Sequence, residues 1–131
     1  MLVSEIMLPE FDREMARTRK LLDAIPKKSM DWKPNDDMHT IGWNANHLAE
    51  IPGWVEGTLA SLEWDLAPAD GQPYKSPNLN SITEIIELFD KNVADARRAI
   101  NDTPDDELPK MFSLVQTGEP LFTMPRIAVI R

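Results

Sequence analysis

Ser81-Ile82-Thr83-Glu84-Ile85-Ile86-Glu87-Leu88-Phe89-Asp90-Lys91-Asn92-Val93-Ala94-Asp95-Ala96-Arg97-Arg98-Ala99-Ile100 is the stretch that decides the fold. Its apolar residues Ile82, Ile85, Phe89, Val93, Ala96 and Ile100 recur at three- and four-residue steps, close to a heptad, which lines up one helix face against partner helices. Ser81 stands at the N-cap with Glu84 three residues on, a capping-box spacing. Thr103-Pro104 ends the segment.

Working outward, two more segments show the helical period. Residues 4–25 place Phe11, Met15, Thr18, Leu22 and Ile25 on one face. Pro9 lies near the start, where a missing N–H does least harm, and Pro26 closes the helix. Thr40 is an N-cap residue for a second helix. Its stripes are Ile41, Ala45, Leu48, Val55, Leu59, Leu62 and, beside them, Asn44, His47, Ile51, Trp54, Thr58. Pro52-Gly53 interrupts them and predicts a kink, because proline removes one backbone donor and clashes with the preceding turn. The connectors are residues 26–39 and the long stretch 63–80, rich in Pro, Asp and Gly. One helical turn is expected over 105–110. A small hairpin is expected from Met111 to Thr123 around Gln116-Thr117-Gly118-Glu119. Thr123 and Pro125 then signal a further helix. The expectation is a single domain over 1–131, all-α, an up-down helical bundle of the four-helix type, with a small β-hairpin before a fourth helix truncated after about two turns.

Composition narrows the function. There is no cysteine, hence no disulfide, thiolate ligand or cysteine nucleophile. The net charge is −8. Residues 1–34 carry seven Lys/Arg against six Asp/Glu, and residues 35–131 carry seven against sixteen. A nucleic-acid backbone needs clustered cations, so no nucleic acid is expected as partner. No apolar run is long enough to span a membrane. The N-terminus lacks a signal peptide's basic and apolar regions, which suits a cytoplasmic protein.

Chemistry-bearing residues are few. His47 and His39 are the only histidines. His47 has Glu50 at i+3, close enough on a helix to share one ion, but no histidine at i+4, so the zincin pattern is absent. A catalytic zinc takes about three protein ligands. No phosphate-cradling loop or nucleophile motif is present. His39 is read as an exposed connector residue. Trp32, Trp43, Trp54 and Trp64 are read as packing residues, with Trp54 also placed to line a pocket near His47.

Four stretches carry a family resemblance. Pro9-Glu10-Phe11-Asp12-Arg13-Glu14 with Thr18-Arg19-Lys20-Leu21-Leu22 resembles the first helix of the DinB-like (DinB/YfiT-like) family of four-helix-bundle metalloenzymes. Asp31-Trp32-Lys33-Pro34 is similar to its connector. Asn46-His47-Leu48-Ala49-Glu50-Ile51-Pro52-Gly53-Trp54 resembles its first metal-ligand region. Thr117-Gly118 through Leu121-Phe122-Thr123-Met124-Pro125-Arg126 is similar to the run into its fourth helix. The resemblance implies a dimeric bundle, a divalent metal (Zn, Ni or Fe) held by three histidines, and hydrolase or transferase chemistry on a small-molecule substrate. One histidine maps onto His47. The other two belong to a His-x-x-x-His on the fourth helix, which this sequence lacks. Two expectations follow. One is a metal-dependent enzyme whose site, with His47 as ligand, is incomplete in this chain and lies in a polar pocket between helices one, two and four. The alternative is a non-catalytic, metal-free bundle acting through homodimerisation. An apolar face left uncovered by three helices independently favours a homodimer.

Overall fold

The structure, a computed structural model, describes residues 1–131. Five helices are present: α1 (Val3–Asp23), α2 (Ile41–Glu50), α3 (Gly53–Ala60), α4 (Ile82–Asp102) and α5 (Arg126–Ile130). Single 3₁₀ turns lie at Lys27–Ser29 and Asp105–Glu107. Three strands complete the fold: β1 (Glu63–Asp65), β2 (Met111–Gln116) and β3 (Glu119–Pro125).

The chain is therefore not all-α. The strands form one mixed sheet in the order β1-β2-β3, with β1 parallel and β3 antiparallel to β2. The β2–β3 hairpin follows the expected pattern. Its two-residue turn has positive φ at Thr117 (49°) and Gly118 (80°), the conformation whose twist matches the flanking strands. β1 falls inside the stretch read as a connector. At three residues it is too short to show alternation, and its partner lies far away, because parallel strands need a crossover. Asp65 locks β1 to the turn: its carboxylate accepts the backbone N–H groups of Ala67 (2.9 Å), Thr117 (2.9 Å) and Gly118 (3.0 Å). Partial burial raises the Asp65 pKa, but these three donors outweigh it and hold the carboxyl below its ordinary value. Phe112 and Val115 are both buried although three residues apart. The register shift between Leu114 and Val115 turns the strand so that both face inward.

α4 is the spine, with α1, α2 and α3 each packed against it. α1 runs antiparallel to it. Arg97 grips Asp12 (3.0 Å), Arg19 grips Asp90 (2.8 Å), and the Val3 N–H reaches Asp105 (3.0 Å). α2 and α3 run parallel to α4: Asn46 bonds Leu79 just before it, Asn92 bonds Ala49 at mid-length, and Leu59 and Ala60 share a cleft with Ala99 and Asp102 near its end. The order is thus up-down-down, not strictly up-down, and the long 61–81 connection carries the chain back over the bundle. The core is Leu22, Ala45, Ala49, Ile82, Ile85 and Phe89. Each large member contributes about 1.5–3 kcal/mol through burial.

The second helix is broken as well as kinked. Pro52 has no N–H, so the chain passes the break through short i→i−3 bonds, Trp54 to Ile51 (3.1 Å) and Val55 to Pro52 (3.3 Å). Both caps act as expected: the Thr40 hydroxyl accepts from the Trp43 N–H (3.0 Å), and Ser81 accepts from Glu84 at a looser 3.5 Å. Trp32 (60% exposed) and Trp43 (45%) are not the packing residues their type suggested. Trp32 sits in a connector without a covering layer, and Trp43 stacks on His39 (centroids 3.5 Å, planes at 7°) at the surface. No helix is long and apolar enough to cross a membrane.

Candidate functional site

The polar centre of the molecule lies at the end of α2. Glu50 occupies its last turn and is only 5% exposed. A buried carboxylate must be hydrogen-bonded, and Glu50 is, on both oxygens. Oε1 accepts the Tyr74 hydroxyl (2.5 Å) and the Ser76 hydroxyl (2.8 Å). Oε2 faces His47 Nδ1 at 3.2 Å. Tyr74 OH in turn accepts the Trp54 indole N–H at 3.1 Å, so its own proton points to Glu50. Burial, followed by the hydrogen bond to Glu50, pushes the Tyr74 pKa up to about 12.

The loop that supplies Tyr74 and Ser76 is itself tied down. The Tyr74 N–H bonds Leu66 O (2.8 Å), and the Leu66 N–H bonds Val115 O (2.8 Å), which anchors the loop to the sheet. Asn46, buried beside Glu50, clamps its far end by accepting from the Leu79 N–H (2.8 Å) and donating to Leu79 O (2.9 Å). Asn92 of α4 donates to Ala49 O (2.9 Å) and fills the space beside Gly53.

His47 is half-exposed, in a line of rings with Trp43 (5.0 Å) and Trp54 (5.7 Å). It borders a small niche of about 40 Å³ under Ser76, Pro77 and Asn78. The expected polar pocket between the first, second and fourth helices around His47 is absent. The cleft in that position, between α1 and the α2–α3 pair, is about 300 Å³, is lined mainly by apolar side chains such as Phe11, Met15, Leu48 and Val55, and does not include His47.

As a metal centre the arrangement falls short. No group of three or more His, Asp or Glu side chains is placed to hold an ion. His39 is committed to its stack with Trp43, and both Glu50 oxygens already serve the loop and His47. The residues do not by themselves fit a resident divalent metal. What they do provide is a histidine oriented through Nδ1 by a buried carboxylate, which leaves Nε2 without a partner in the chain.

His47 and its i+3 neighbour were legible in the sequence, and so was Trp54 as a pocket residue. Tyr74 and Ser76 were not: they sit in an aperiodic loop and meet Glu50 across separations of 24 and 26 residues. The length of that loop was the only signal.

The sequence profile of the DinB superfamily matches residues 10–129. Comparison with curated proteins gives no match.

Proposed function

This chain belongs to the DinB superfamily, and on that premise we propose that residues 1–131 act as a non-catalytic helical bundle that pairs with a second copy of itself. The supporting observation is the cleft between α1 and α2–α3. It is an open groove of about 300 Å³, walled by Met7, Phe11 and Met15 on one side and Leu48, Ile51 and Val55 on the other. Ile51 is 41% exposed there. In this reading the apolar side chains of the groove are where the second copy packs. Glu10 and Glu14 on its edge, with Arg131 close to Glu10 (3.8 Å), supply the polar rim that interfaces carry. A two-fold pairing would set the same groove on each copy against the other.

A second reading is favoured by the His47–Glu50 pair. A carboxylate that orients a histidine through its other nitrogen is the usual support of a metal-ligating histidine. In this reading the protein is a divalent-metal-dependent hydrolase or transferase acting on a small molecule, with His47 as one ligand and the remaining donors from outside a single copy of these residues. Elemental analysis of the purified protein and of His47→Ala separates the two. The first reading expects no stoichiometric Zn, Ni or Fe in either protein. One equivalent of metal that disappears in His47→Ala overturns it in favour of the second.

A further inference from the structure

A pocket of about 260 Å³ is lined by Glu50 but not by His47. Its walls are Trp54 of α3, Trp64 of β1 and Tyr74 of the long loop; its floor is Glu50, with Asn92 and Leu88 of α4 behind. Three separate elements thus bring aromatic rings to one place beside a buried carboxylate. Trp64 and Tyr74 stand at 87° with centroids 5.2 Å apart, the two sides of a corner. The rings are fixed before any ligand arrives. Trp54 donates to Tyr74, Tyr74 donates to Glu50, and Trp64 packs edge-to-face with Tyr74.

We propose that the Trp54–Trp64–Tyr74 pocket is a binding site for a quaternary or methylated ammonium cation. Aromatic faces carry negative charge density, and cages of two or three rings are the recognised solution for such cations. Glu50 adds a full negative charge within the same wall. Its lone pairs already accept from Tyr74, Ser76 and His47. A ligand that must donate hydrogen bonds would have to compete with those donors. A quaternary ammonium has no N–H and gains from the charge without competing. The net charge of −8 favours a cationic ligand over an anionic one. Lys75 also borders the pocket, but it is exposed to solvent, where its charge is screened. This site lies outside the α1/α2–α3 groove and shares Glu50 with His47.

The test uses choline and its uncharged isostere 3,3-dimethylbutan-1-ol, titrated into the full chain while tryptophan fluorescence and indole N–H resonances are followed. Choline should give a saturable change at the Trp54 and Trp64 signals, with the alcohol at least about tenfold weaker. Trp64→Leu should weaken choline binding by roughly 2- to 30-fold, the range expected for one cation–ring contact. Glu50→Gln keeps the shape of the floor and should weaken choline while leaving the alcohol unchanged; it serves also if Trp64→Leu fails to fold. Absence of a saturable response to choline up to about 50 mM, or equal affinity for choline and the alcohol, overturns the proposal.

Discussion

Glu50 serves three donors at once, and the arrangement of the centre follows from that. If its carboxylate is removed, the Tyr74 and Ser76 hydroxyls and His47 Nδ1 lose their acceptor, and a buried position is left unfilled. Glu50→Ala should therefore lower stability by about 1–3 kcal/mol, seen as a lower urea midpoint at unchanged slope. Asp65 makes a prediction of another kind. Its pKa is held below the ordinary 3.8 in the folded chain. The unfolded state thus binds its proton more readily, so the contribution of Asp65 is present above the unfolded value and fades as pH falls through the folded one. Thermal melts from pH 6 to pH 3 should show a loss below about pH 4 that is smaller in Asp65→Asn. These two carboxylates also mark how far the sequence could be read at this scale. Glu50 was visible through its i+3 spacing from His47, although the same spacing is compatible with a solvent-facing side chain. Asp65 gave no sign, because its partners are backbone groups that a turn 52 residues away presents.

Elements with a strong period were legible. α4 runs from Ile82 to Asp102, as its stripe and caps indicated, and the hairpin turns at Thr117-Gly118. Elements defined by remote partners were not: β1 exists because α4 returns the chain to lay β2 beside it. The α2–α3 break lies between these cases. Pro52 announced a bend, and Gly53 explains why the break packs so tightly. A Cβ at Gly53 would lie 2.9 Å from Asn92 Nδ2, closer than real contacts allow. Gly53→Ala should destabilise by about 1–3 kcal/mol, as overpacking does. Asn92→Ala in the same chain should recover part of that loss, so a double-mutant cycle measured in urea should show coupling between the two positions. At Gly118 a Cβ meets nothing within 4 Å, yet φ is +80°. Gly118→Ala should therefore cost only the conformational term, on the order of 1 kcal/mol.

For the whole molecule, the central fact is that α1 and α2–α3 both lean on α4 and leave a groove between them. The chain has one well-filled core, from Leu22 to Phe89, and beside it an apolar groove whose side chains are mostly half-buried, with Ile51 exposed. Leu48, Ile51 and Val55 of the helix-two stripes line this groove. The sequence did not foretell the up-down-down order, which depends on the long 61–81 connection. The family match over residues 10–129 shows membership of the DinB superfamily, and the proposed pairing turns on what fills the groove. Sedimentation equilibrium across the micromolar range, on the native chain and on Ile51→Glu, tests this most directly. Ile51 is exposed, so the substitution leaves the core intact but places a charge in the groove. A native dimer that falls to a monomer with Ile51→Glu is the predicted result. A native chain that stays monomeric throughout, or a dimer indifferent to Ile51→Glu, would contradict the account.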